Sequence, residues 1–467
     1  MDTSRRTALI VATALFMQNL DSSVIATALP VMAQSFDADP VRMSLALTSY
    51  MLGVAVFIPA SGWAADRYGA KRVFLAAIFL FTLASLLCGI SNTLPQLVAA
   101  RLLQGAGGAM MVPVGRLLML RATLKAELVN AMAWLTMPGL LGPVLGPPVG
   151  GFIVTFVSWR WIFVLNLPVG LLGLVLVKLF IEDVRPRAHA HLDLVGLGLC
   201  SVALLLLVAA FETVGRGIVA RWITWSLMGS ALLLFALYWR HMLRTVRPVL
   251  ELRLMRVPSF GVSVYAGTLF RFGIGALPFL LPMALQLGMG MSAAASGMIT
   301  LANGVGSLAM KPMARPVLRA LGFRTTLVLN ALLSAVGIGL CALFQVGTPV
   351  WVLYAVLASG SFIRSLQFTA FNTLAYADMG PRRMSQATTL YSTVQQISLT
   401  LAIGVGSGAL EIAMRLSGHT APQMADFQVA FLAVAAFSGL AAPLSLALPG
   451  NAGAEVSGHR QPNQAAD

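Results

Sequence analysis

The residue with most chemistry to offer is an aspartate in the middle of an apolar run. Asp21 lies in a stretch from about residue 8 to about residue 30 that carries no other charge. A lone ionised carboxylate is costly in hydrocarbon, so it calls for a cationic partner or for a bound proton. The matching cation is Arg101, inside a second apolar run from about 97 to 119. At a rise of about 1.5 Å per residue, Asp21 would lie roughly 13 Å and Arg101 roughly 6 Å from the same membrane face, a gap that an arginine side chain spans. The chemistry implied is reversible proton binding at Asp21, with Arg101 stabilising the ionised form. The alternative is a static buried ion pair.

Two more arginines, Arg271 and Arg364, fall near the middle of apolar runs that hold no acid at comparable depth. Buried guanidinium groups without acids must face water, backbone carbonyls or an anionic ligand. With Gln104, Gln367, Asn372 and Gln395 they are candidates to line a cavity; the alternative for each is a hydrogen bond that packs two helices. A third pattern is the run Gly139, Gly142, Pro143, Gly146, Pro147, Gly150 and Gly151. Small faces at near-helical spacing let helices touch closely and prolines bend them, which suggests a bent helix shaping an interface, though packing alone would also account for it. A fourth is Gly62, Asp66, Arg67, Gly69, Lys71 and Arg72 in a short turn. Gly62 permits close helix approach, Gly69 a tight turn, and Asp66 offers a carboxylate to an arginine or a helix N-terminus. Such a turn could latch two halves of a molecule together.

The elements that must position these groups are membrane helices. The chain has 467 residues, 58% hydrophobic and 10% charged, a balance that the surface of a water-soluble domain cannot accommodate. Apolar runs of roughly 20 residues recur from end to end, each long enough to cross about 30 Å of hydrocarbon. The candidate spans are about 8 to 30, 43 to 61, 73 to 92, 97 to 119, 129 to 156, 161 to 180, 193 to 212 and 221 to 240. Six more follow at about 258 to 286, 294 to 312, 324 to 345, 350 to 376, 388 to 412 and 427 to 448. Fourteen spans place 22 of the 31 lysines and arginines on one side; Arg42, Arg160, Arg216, Arg221 and Arg415 fall on the other, and Arg101, Arg116, Arg271 and Arg364 inside. The excess marks the cytoplasmic side and puts both termini there. The net charge of +15 thus sets orientation, and no nucleic-acid partner is expected.

The turn Arg319 to Arg324 after the tenth span repeats the basic, glycine-centred turn after the second. Two six-helix halves follow, at 1–190 and 246–450, with an inserted helix pair at 191–245 and a disordered cytoplasmic tail at 451–467. Cys88, Cys200 and Cys341 stand in separate runs, so neither a disulfide framework nor a metal site is indicated. No Gly-Lys dipeptide occurs, which excludes a phosphate-cradling loop and ATP as the direct energy source. No catalytic constellation, metal or cofactor is expected.

Several motifs carry a family resemblance. Gly62 to Arg72 resembles the signature turn of the major facilitator superfamily. Leu20 to Pro30 resembles the first-span motif of its fourteen-span drug:proton antiporters, Arg101-Leu102-Leu103-Gln104-Gly105 the fourth-span motif, and Gly139 to Gly151 the antiporter motif of span 5. Trp159-Arg160-Trp161-Ile162-Phe163, with Asn166 and Pro168, is similar to a further hallmark. Ala70, where the family has a basic residue, and Ser22-Ser23 and Ala26 depart from the pattern. The resemblance, to the EmrB/QacA-type group, implies an all-α major facilitator fold in the bacterial inner membrane. It also implies export of small amphiphilic compounds or drugs in exchange for protons, by a monomer whose partners are substrate, protons and lipid. A dedicated metabolite transporter or symporter, or a nontransporting sensor on the same fold, stays open.

Overall fold

A computed structural model describes residues 3–37, 43, 45–183, 192–213 and 220–459. Among the described residues eighteen α-helices make up the framework, three of them of four to six residues. They are α1 (Thr3–Ser35), α2 (Leu45–Phe57), α3 (Ser61–Tyr68), α4 (Ala70–Gly89), α5 (Leu94–Ala122), α6 (Leu128–Phe156), α7 (Arg160–Val164) and α8 (Asn166–Phe180). A pair follows, α9 (Leu194–Thr213) and α10 (Arg221–Arg244), and then α11 (Pro258–Met283), α12 (Ala293–Met310), α13 (Ala314–Gly339) and α14 (Val350–Ala377). The chain ends with α15 (Met384–Ser417), α16 (Met424–Gly439), α17 (Ala441–Leu446) and α18 (Ala454–Ser457).

Twelve helical stretches among the described residues are long and apolar enough to cross a membrane, against the fourteen expected. One of the twelve, Ala295–Leu343, is 49 residues long and joins α12 to α13 through a 3-10 turn at Lys311–Met313. The 29-residue α6 is not among the twelve. The boundaries of the expected spans otherwise fall within a few residues of the helix ends.

The same pairing is used twice. In the first half α1 packs on α6, α2 on α5 and α4 on α8; in the second α11 packs on α15, α12 on α14 and α13 on α16. The contacts between halves repeat as well: α6 meets α12 and α14, while α15 meets α5 and α3. This is the geometry of a parallel repeat, and the two basic turns occupy matching places in it. Both turn glycines take backbone conformations that side chains rarely adopt, φ 90° at Gly69 and 72° at Gly322. The pair α9 and α10 pack on each other, with α9 also against α2 and α15. Trp222 and Trp225 on α10, at 69% and 72% exposed, present the apolar surface that lipid would cover.

Segments that flank several of the basic loops contact one another, and this layer is here called the basic face. Ser4 Oγ donates to Glu127 Oε2 at 2.7 Å, Lys71 Nζ to the Lys178 carbonyl at 3.1 Å, and Arg72 pairs with Asp183 at 3.3 Å. Part of the expected disordered tail belongs to this layer: residues 451–459 form turns and α18, while 460–467 lie outside the described residues. Glu455 pairs with Lys125 at 2.8 Å, and the nearby ammonium holds its carboxyl below the usual carboxylate range. That contact is present above the ordinary carboxylate range and is lost as pH falls through the lowered value. Lys311, at the end of the span expected at about 294 to 312, is 3% exposed and donates to Thr369 Oγ1 at 2.9 Å.

Glycine sets how closely α2 and α5 approach. A Cβ at Gly53 would meet the Leu102 carbonyl and lie 3.1 Å from the Gly105 Cα, and one at Gly105 would strike the Tyr50 carbonyl. Backbone cannot yield as a flexible side chain does. Gly105→Leu is therefore expected to destabilise the protein by about 1–3 kcal/mol, read as a lowered Tm of the purified protein in detergent; an unchanged Tm would show that the helices separate without cost.

Candidate proton and substrate sites

Five helices converge on Asp21, which is 1% exposed. Its Oδ2 accepts from Arg101 Nη1 at 2.6 Å; its Oδ1 accepts from Gln104 Nε2 at 3.0 Å and from Asn166 Nδ2 at 2.7 Å. Arg101 and Gln104 stand three residues apart on α5 and so share one face of it. Asn166, the first residue of α8, reaches in from the far side. Ser85 on α4 accepts from both amides, Gln104 at 2.7 Å and Asn166 at 3.2 Å, and thereby fixes which way each amide points. Arg101 Nε donates to the Ala46 carbonyl at 3.0 Å, and its guanidinium lies 4.6 Å from the centre of the Tyr50 ring. Its Nη2 is buried with no hydrogen-bond partner.

The glycine run on α6 packs against the residues flanking Asp21. A Cβ at Gly142 would lie 2.7 Å from the Leu20 nitrogen, one at Gly146 would strike the Ser23 side chain, and one at Gly139 would lie 3.3 Å from Asn19 Nδ2. Gly150 is buried, Gly151 is exposed with open space around it, and the side chains of Pro143 and Pro147 lie outside the described residues. α6 nonetheless runs as one helix from Leu128 to Phe156.

The turn residues divide between two tasks. Gly62 meets the second half directly: its carbonyl accepts from Ser385 Oγ at 2.9 Å, and a Cβ there would lie 3.1 Å from the Ser385 carbonyl. Ser61 and Thr389 share a hydrogen bond at 3.1 Å beside it. Asp66 pairs with Arg121 at 3.5 Å, and Lys71 and Arg72 reach the end of α8, so these three act inside the first half. Arg67 lies in the last turn of α3.

Of the expected cavity residues, Gln104 belongs to the Asp21 cluster. Gln367 donates to the Leu327 carbonyl at 3.0 Å and Asn372 to its own helix at 2.7 Å, both fully covered, so both bond within the second half. Arg364 donates to Asn303 Oδ1 at 2.9 Å. Arg271 and Gln395 come together around a residue the sequence did not single out. Arg271 Nη2 donates to the Tyr391 hydroxyl at 2.6 Å, and Gln395 Oε1 accepts from Arg116 Nη2 at 3.2 Å. Arg116 also donates to Tyr376 at 3.2 Å and Ser392 at 3.4 Å, joining α5 of one half to α14 and α15 of the other. Arg116 was visible only as a charge inside a span, and Asn166 only as part of a motif.

The parts of the Asp21 cluster hold one another in place. Arg101→Gln leaves a buried carboxylate with no cation and is expected to destabilise the protein by about 3–5 kcal/mol. Adding Asp21→Asn should recover most of that loss, so thermal unfolding of both single variants and the double variant measures the coupling. Additive losses would mean that the pair does not interact.

A sequence profile described as Major Facilitator Superfamily matches residues 11–403. A protein of Serratia proteamaculans named "Putative multidrug resistance protein MdtD" is 39% identical over 398 residues, covering 85% of this chain and 83% of its own. One of Escherichia coli with the same name is 36% identical over 453 residues, covering 96% and 94%. Among solved structures, the human organic anion transporter MFSD10 (TETRAN) superposes with a TM-score of 0.70 at 15% identity, over 95% of this chain and 99% of its own, a likeness of fold.

Proposed function

The chain belongs to the Major Facilitator Superfamily and is a multi-pass membrane transporter; on that premise we propose that it exports small amphiphilic compounds in exchange for protons. The proposal includes fourteen crossing helices in a bacterial inner membrane, with both termini on the cytoplasmic, basic face. The names of the relatives support drug efflux, and the positive-inside distribution of the loops supports the orientation.

The observation that carries proton coupling is the Asp21–Arg101 pair, fully covered and held by three donors on the carboxylate. Protonation of Asp21 removes the charge that holds Arg101 and turns one acceptor oxygen into a hydroxyl. Arg101, whose Nη2 has no partner, is then free to shift, and its shift moves α5. α5 also carries Arg116, which bonds to the second half at Tyr376, Ser392 and Gln395. The cycle that follows opens the basic face by breaking these bonds together with Ser61–Thr389 and Ser385–Gly62, and closes the opposite face. Substrate enters with the basic face open and leaves with it closed, the state of this structure. The close approach of α6 to α1 limits proton leak past the site. Gly62, Asp66, Arg67, Gly69, Lys71 and Arg72 form the latch in this reading, Gly62 by contact and the others by bracing α3 and α4.

The test is transport by purified protein in sealed liposomes with an imposed pH gradient and a panel of amphiphilic dyes. Wild type is expected to move dye against its own gradient and to release protons across the membrane when dye is added. Asp21→Asn is expected to lower that rate at least about tenfold, because the group that binds the proton is gone. An Asp21→Asn protein that still concentrates dye at the wild-type rate would make the pair a static one. No proton movement in wild type would favour the sensor, and dye moving in the same direction as protons would favour a symporter.

A further inference from the structure

Arg116 and Arg271, from opposite halves, point their guanidinium groups at the same phenol ring. The two lie 5.6 Å and 5.0 Å from the centre of Tyr391, and they are 5% and 1% exposed. Two like charges that face one ring in a low-dielectric place call for a group of opposite sign nearby. The buried carboxylates among the described residues are Asp21, held by Arg101, and Asp426, held by His419 and the Gln423 nitrogen. Neither serves the arginine pair.

The hydrogen-bond inventory is equally one-sided. Arg116 Nε and Arg271 Nε and Nη1 are buried donors with no acceptor. Tyr391 and Tyr376 both use their oxygens to accept from arginine, at 2.6 Å and 3.2 Å, so each keeps a hydroxyl proton to give. The Gln395 carbonyl is taken by Arg116, which leaves its amide as a donor as well. A buried donor without a partner costs about 1–3 kcal/mol, and three on two arginines call for an acceptor rather than for more packing. Gly267 keeps the approach clear: a Cβ there would lie 3.1 Å from Arg271 Nη1.

We propose that Arg116, Arg271, Tyr376 and Tyr391 form a seat for the anionic group of the transported molecule, and that this protein exports organic anions, carboxylates above all. A carboxylate offers two oxygens in one plane, which matches the paired N–H groups of a guanidinium. The seat spans both halves, so an anion in it neutralises the charges where the halves meet. This rests on the transport reading for its physiological meaning, but the binding is testable without transport.

Fluorescence titration of the purified protein in phosphatidylcholine nanodiscs would compare dansylglycine, an anion, with dansylcholine, a cation of similar size. Dansylglycine is expected to bind about tenfold tighter, and Arg271→Gln and Arg116→Gln each to weaken it about tenfold while leaving dansylcholine unchanged. The wild-type comparison stands by itself if a variant fails to fold. Equal or tighter binding of dansylcholine overturns the proposal, as does dansylglycine binding that ignores both arginines. Displacement of dansylglycine by phosphatidylglycerol in the nanodisc overturns it too, because the seat would then hold a lipid. Anion binding without proton-driven export would sink the exporter reading and leave the seat; export without anion preference would do the reverse.

Discussion

An ionised carboxylate enclosed by protein at membrane depth must be surrounded by donors, and that requirement organises the first half of this molecule. Asp21 is satisfied by groups from α5 and α8, and these are in turn held by Ser85 on α4 and by the Ala46 carbonyl on α2. Five helices are thus tied to one side chain. Because removing any cation from such a pair leaves a charge with nowhere to go, the helices cannot drift apart independently. The glycines of α6 complete the enclosure by letting its backbone lie on the residues beside Asp21, where any side chain would hold it off.

α5 links this cluster to the place where the halves meet. Arg101 and Arg116 are fifteen positions apart in sequence, which at about 1.5 Å per residue separates them by roughly 22 Å along one helix. One faces the enclosed acid and the other crosses to α14 and α15. One helix thus carries the buried ion pair and the bonds between halves, and no chain of intermediates is needed to connect them. Pro113, inside α5 and between the two arginines, is the point at which such a helix bends most easily.

Much of this was legible in the sequence, for a plain reason. Charge in an apolar run is so costly that Asp21 and Arg101 announce themselves, and the alternation of basic and non-basic loops places the helices. The second turn glycine was legible as well, because Gly322 sits among the same residue types as Gly69 and takes a similarly rare backbone conformation. What could not be read is who faces whom across the halves. Arg116 and Arg271 look alike in sequence to Arg364, yet Arg364 finds Asn303 within its own half while the other two meet at Tyr391. Tyr391 has no signal of its own, since an aromatic residue near a span end is ordinary.

The two halves share a frame but differ in where they keep their charge. The first half places its buried acid and one of its buried cations together, Asp21 with Arg101. The second half brings Arg271 to the interface with no acid to meet it, and Arg116 joins it there from the first half. Symmetric folding therefore produces an asymmetric field, with a neutral pair at one depth and a positive region roughly 22 Å away along α5. In the proposed exchange a proton at the pair would free the charge of Arg101 and an anion at the interface would cancel the charges of Arg116 and Arg271. Charge alone favours the two being bound together, so their alternation has to come from the geometry of α5, whose two arginines face different partners.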